Sequence, residues 1–180
     1  VVNAISWRHP FNEAFGDGIV FRLFETAGIA YAVGFEHIKT MHELLTKGVD
    51  IYHACPDFLF PVNGVWTVIF DRIDPLTQQL YGYQHVEHTG VMGGRVLFNV
   101  ASIIFDHYTV SCAAAYVFSA ANDCENQRKT DLTELYSALL GLDGHPRSRL
   151  FQRFDGWCAW SDTAIGGRSY VVTTKSYKSL

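Results

Sequence analysis

Residues 88–142 read HTGVMGGRVLFNVASIIFDHY (88–108) and then TVSCAAAYVFSAANDCENQRKTDLTELYSALLGL (109–142). Gly90, Gly93 and Gly94 make a glycine-rich turn, and behind it Val96, Leu97, Val100, Ala101, Ile103 and Ile104 recur at helical spacing. AAAYVFSA (113–120) is an apolar run of strand length. It ends near Asn122 and Asp123; Asn122 and Glu125 have capping-box spacing, and Asp123 is an alternative cap. Leu132, Leu135, Tyr136, Leu139 and Leu142 form the stripe of a second helix, which Gly141 or Gly144 ends. The order is glycine turn, helix, strand, helix.

Upstream, GIVFRLFET (18–26) alternates, Ala27-Gly28 supplies a turn, and IAYAVGF (29–35) resumes extended character, which predicts a hairpin. Residues 1–17 read as an irregular lead-in. A short helix is expected from Glu36 to Lys47, ended by Gly48, with Ile38, Met41, Leu44 and Leu45 on one stripe. Residues 49–64, broken by Pro56 and Pro61, read as loop with room for one short extended piece. Residues 65–88 look like a second hairpin around Asp74-Pro75, and GWCAWSD with RSYVVTTK a terminal one around Ile165-Gly166-Gly167. The expectation is a single domain over residues 1–180, of α/β (α+β) class: a mixed, largely antiparallel sheet with helices on both faces.

A net charge of −4 argues against a protein that coats nucleic acid or an anionic membrane. Cys55, Cys112, Cys124 and Cys158 form no C-x-x-C pair and sit in or beside apolar runs, so they are expected to be core thiols in a reducing compartment. With no membrane-length apolar run and no signal-like N-terminus, the chain reads as cytoplasmic. HVE at 85–87 contains H-x-E, but the P-C-x-x-C half of the zinc-deaminase signature is missing, and no metal site is expected. Arg147, Arg149 and Arg153 interleave with Phe151 and Phe154, which suits either a phosphate-binding patch or a solvated loop with two anchoring aromatics.

Glycines leading into a helix leave backbone N–H groups free beside the positive end of its dipole. They serve an anion as readily as a tight turn into a core helix. The run TG…GGRVLFNVASII, then YVFSA, then LTELYSALLG, resembles the second half of the GCN5-related N-acetyltransferase (GNAT) superfamily, particularly its small phage-type members. The resemblance implies a GNAT-like fold and transfer of an acetyl group from acetyl-coenzyme A, as co-substrate, to an amine that is a small molecule, a peptide or a nucleic acid. It implies that Gly90, Met92, Gly93, Gly94 and Arg95 face the pyrophosphate, that Asn122 lies near the pantetheine arm, and that Tyr136 is the general acid. Glu87 or His88, at the end of the preceding strand, is the candidate base, and at most one of the two faces a substrate because neighbours on a strand point to opposite sides. Asp71 is a further candidate of that kind. The same fold also serves catalytically inactive binding or inhibitory proteins, and a nucleobase-modifying enzyme is the third expectation. An apolar-stripe tyrosine such as Tyr136 is otherwise a core residue.

Overall fold

The computed structural model describes residues 12–14, 19–74, 76, 77, 79–81, 90–120 and 132–177. Alternating apolar residues and the Ala27-Gly28 turn produce the expected first hairpin: β2 (Ile19–Thr26) pairs antiparallel with β3 (Ile29–Ile38), and both turn residues have positive φ. A three-residue strand, β1 (Asn12–Ala14), pairs antiparallel with β2 inside the stretch expected to be irregular. β4 (Val65–Arg72) follows the Asn63-Gly64 turn, and β5 (Ala115–Ser119) follows the long helix α3 (Gly90–Ser111). The terminal hairpin is β6 (Cys158–Ser161) and β7 (Ser169–Thr173). The hydrogen-bonded order is β1-β2-β3-β4-β5-β7-β6. β5 runs parallel to β4, with Trp66 opposite Tyr116 and Thr67 opposite Val117, and antiparallel to β7. The sheet is therefore mixed, as expected.

The chain divides into two compact units, residues 1–36 with 68–112 and residues 37–67 with 113–180, the cuts passing through β3 and β4. In the first unit α3 lies on β2, and the interface mixes apolar and polar contacts. Phe35 stacks on the buried His107 at 4.0 Å, and the buried Arg22 donates through Nη1 to Asp106 Oδ2 at 2.8 Å. Phe24, Tyr31 and Phe70 stack beside them. The Ile73 amide donates to the Ala30 carbonyl at 3.0 Å, and a Cβ on Gly34 would lie 3.7 Å from that of Ile69. The two contacts run in opposite senses, which makes β3 and β4 antiparallel.

In the second unit α1 (Met41–Thr46) and α2 (Ile51–Ala54) pack Leu44, Ile51 and Ala54 against Val65, Val117 and Val171. Burying an aliphatic side chain of that size is worth about 1.5–3 kcal/mol. The helix expected from Glu36 begins later: residues up to Ile38 are strand, and Thr40 is the cap, accepting from the Glu43 amide while Glu43 Oε2 accepts from the Lys39 amide. α2 replaces part of the expected loop because Asp50 caps it through the amides of Tyr52 and His53. The fourth helix, α4 (Leu132–Leu140), covers the opposite face of β5 and β7, the one carrying Phe118 and Tyr170. Helices thus flank both faces of this unit's strands.

After β4, Asp74 Oδ1 accepts from the amides of Leu76 and Thr77, and Ile73 bridges antiparallel to Leu80. The remainder of the expected hairpin, residues 82–88, and the capping residues Asn122, Asp123 and Glu125 lie outside the described residues.

Candidate functional site

Tyr136 stands at the middle of α4, partly buried, with its ring perpendicular to two others. The centroids lie 5.5 Å from Phe118 on β5 and 5.7 Å from Tyr170 on β7, at interplanar angles of 85° and 87°. Phe118 and Tyr170 are cross-strand partners and stack on each other at 5.1 Å. Among the described residues, none hydrogen-bonds to the Tyr136 hydroxyl. Burial, and then the neighbouring Tyr170, push its ionisation up to about 12. At neutral pH it is a proton donor and not a base.

The residue beside it, Ser137, is buried and fully engaged. Its hydroxyl donates to Asp143 Oδ2 at 2.5 Å and lies 3.2 Å from the Tyr170 hydroxyl, which itself donates to the Thr133 carbonyl at 2.9 Å. Thr163 Oγ1 donates to both oxygens of Asp143, at 2.9 and 2.8 Å, and Ser161 lies 2.7 Å behind Thr163. Asp143 closes this network from just beyond the α4 terminus, where Gly141 has a left-handed φ of 72° and Asp143 one of 52°. The Ser137 and Thr163 hydroxyls hold its carboxyl below the usual carboxylate range.

A lowered folded-state value means that the carboxylate's contribution is complete above its unfolded value, about 3.9, and is lost as pH falls through the folded one. Asp143→Ala is expected to cost about 1–3 kcal/mol at neutral pH, because the buried Ser137 hydroxyl loses its acceptor and alanine is strained at positive φ. Asp143→Asn tolerates that φ and keeps an acceptor, so it should cost less and should remove the loss of stability below about pH 4. Urea midpoints measured from pH 3 to pH 7 check both.

The residues expected to face a pyrophosphate are placed differently from the expectation in one respect. Gly90, Met92, Gly93, Gly94 and Arg95 are not a turn ahead of the helix but the first turns of α3 itself. Three glycines there cost up to about 1 kcal/mol each in helix propensity. The helix is retained because the same run buries Val96, Ala101 and Ile103. Only the first residues, Gly90, Val91 and Met92, have amides ahead of the helical hydrogen-bond ladder. Gly94 and Arg95 are exposed, and a Cβ on Gly94 would meet nothing within 4 Å. Neither packing nor backbone conformation requires a glycine there.

Glu87, His88 and Asn122 lie outside the described residues. Asp71 is buried, its Oδ1 accepting from the Arg72 amide at 2.7 Å. In the basic and aromatic run at 147–154 Arg147, Arg149 and Arg153 are exposed, as in a solvated loop pinned by its aromatics. Arg147 donates to the Trp157 carbonyl at 2.5 Å with its guanidinium 4.2 Å over the Phe151 ring, and Phe151 and Phe154 are buried anchors. The thiols depart from expectation, since only Cys55 of the described three is buried; Cys112 and Cys158 are exposed. Burial, then the Asp57 charge, push the Cys55 thiol up, away from the reactive thiolate. Among the described residues no cluster of histidine, cysteine or carboxylate groups is arranged for a metal ion, and no helix is long and apolar enough to cross a membrane.

The Ser137–Asp143–Thr163 network escaped the sequence reading, because serine in an apolar stripe signals nothing until its distant partners are known. Comparison with known proteins returned no matching family model, no matching curated protein and no matching solved structure.

Proposed function

We propose that the protein is an N-acetyltransferase of GNAT type that moves an acetyl group from acetyl-coenzyme A to an amine. The observation that carries this reading is Tyr136: a protonated hydroxyl with no described partner, in aromatic surroundings, on the helix after β5. That is the position where the resemblance expects the acid. The connection from β4 through α3 to a parallel β5, and the insertion of β7 between β5 and β6, support it. In the reaction the amine nitrogen attacks the thioester carbonyl, a C–N bond forms, the C–S bond breaks, and the departing thiolate takes its proton from Tyr136. Glu87 or His88 accepts the proton lost by the amine. The amides of Gly90 and Met92 at the α3 start, with Gly93, Gly94 and Arg95, hold the pyrophosphate, and Asn122 the pantetheine arm. The open space at Gly94 fits this role, since a bare backbone lets a phosphate approach.

Calorimetric titration with acetyl-coenzyme A tests the reading. Binding is expected in the unmodified protein and is expected to be lost in Gly93→Glu. Gly94→Ala should stabilise the fold by up to about 1 kcal/mol through helix propensity while weakening binding several-fold. A Gly94→Ala protein that is more stable and binds unchanged would remove the pyrophosphate role, and an unmodified protein that takes up no acetyl-coenzyme A would end the acetyltransferase reading.

A further inference from the structure

Tyr136 has a hydroxyl with no described partner beside two residues whose hydroxyls are tied down, and the contrast is informative. Rotation of a tyrosine ring about its own axis leaves the hydroxyl oxygen where it was. Only a change in χ1 or a shift of the helix moves it. Two rings bear on Tyr136, those of Phe118 and Tyr170, and Tyr170 is also bonded to the backbone of α4.

The Tyr170 ring stands perpendicular to that of Tyr136 and stacks on Phe118, the other ring beside it. At its far end its hydroxyl donates to the Thr133 carbonyl and touches Ser137 Oγ. Thr133 and Ser137 are one turn apart on α4 and bracket Tyr136 in sequence, so two contacts fix both the axial position and the rotation of the helix against β7. Ser137 is in turn fastened to Asp143, and Asp143 to Thr163 ahead of β7.

We propose that Tyr170, anchored by Ser137 and Asp143, is a positioning residue for Tyr136: it fixes the direction of the Tyr136 hydroxyl while giving its own hydrogen to Thr133, so that the Tyr136 hydroxyl stays available to a ligand. This deepens the acetyltransferase reading and rests on it for the identity of that ligand. Asparagine at 143 tolerates the left-handed φ and keeps a side-chain oxygen for the hydroxyls that Asp143 accepts from, whereas alanine offers neither, so Asp143→Asn is the conservative rescue and Asp143→Ala the loss.

The experiment combines two readouts on Tyr170→Phe, which keeps the ring and drops the hydroxyl. Three-bond couplings reporting χ1 of Tyr136, assigned by difference from Tyr136→Phe, need no activity. One rotamer is expected in the unmodified protein and averaging among rotamers in Tyr170→Phe. Thiol release from acetyl-coenzyme A with spermidine as acceptor probe supplies the second: kcat is expected to fall at least tenfold with KM for acetyl-coenzyme A within twofold.

A Tyr136 that keeps one rotamer in Tyr170→Phe overturns the proposal, as does a rise in KM at constant kcat. Should Tyr170→Phe not fold, Asp143→Ala and Asp143→Asn decide in its place. Averaging in the alanine variant alone supports the proposal, and identical behaviour of the two overturns it. An unmodified protein that neither binds nor turns over acetyl-coenzyme A removes the reaction, while the couplings still decide whether Tyr170 positions Tyr136.

Discussion

Tyr136→Phe is expected to match the unmodified protein in stability to within about 1 kcal/mol and to release thiol from acetyl-coenzyme A more slowly by about 10²–10⁴-fold, the usual worth of a positioned general acid. Tyr136 is only partly buried and none of the described residues hydrogen-bonds to its hydroxyl, so replacing that hydroxyl by hydrogen breaks no described bond and leaves the ring contacts with Phe118 and Tyr170 in place. Binding of acetyl-coenzyme A should be unchanged, because the lost contact belongs to the departing thiolate and not to the bound thioester. Thermal melts, calorimetry and thiol release with spermidine separate the three quantities. A variant that is less stable and equally active would make Tyr136 a packing residue and nothing more.

Gly64→Ala is expected to produce a large loss of stability. Gly64 has φ of 78°, and an added Cβ would fall 2.2 Å from the Ile38 carbonyl oxygen and 2.9 Å from His37 Nε2. His37 can rotate, at the cost of its bond to the Asn63 carbonyl and its stack on Trp66. The Ile38 carbonyl belongs to the end of β3, whose side chain is fully buried in the core of the second unit, and it cannot give way alone. The left-handed conformation costs about 1–2 kcal/mol, and the clash brings the total to about 3 kcal/mol or more. For a chain of this length that is a fall in Tm of roughly 6–12 °C. Gly48→Ala is the control: its φ is 73°, but nothing lies within 4 Å, so only the conformational part should appear. Equal losses at the two positions would show that the Ile38 carbonyl yields.

The parts of the fold legible in the sequence are those whose partners are close along the chain. Alternation around Ala27-Gly28 and around Gly166-Gly167 yields both hairpins, and the leucine spacing after Leu132 yields α4. The start of α1 was misread although its signal was present: Thr40-x-x-Glu43 is a capping box, and Ile38, counted into the helical stripe, is the last residue of β3. Apolar spacing could not separate the two because a buried strand end and a helix stripe both want isoleucine. At Gly90–Arg95 the sequence shows a conflict between low local helix propensity and the apolar face that follows, and tertiary burial of Val96 and Ile103 decided it for helix. Tyr136 was legible as a candidate, but the groups that hold it were not. Ser137 meets Tyr170 across 33 residues and Thr163 meets Asp143 across 20, and no local pattern encodes such pairs.

The division of the chain into residues 1–36 with 68–112 and 37–67 with 113–180 bears on synthesis. Each unit is assembled from two separated segments, so neither can be completed from a nascent chain by simple N-to-C accretion. The first unit must wait for α3 to leave the ribosome, and the second for β7, the strand that carries Tyr170. Until β7 arrives, β5 has no antiparallel neighbour and α4 has no Tyr170 hydroxyl to register against. β7, the last of the described strands in chain order, is thus the one that completes the surroundings of Tyr136, and chains truncated before Ser169 should lack them.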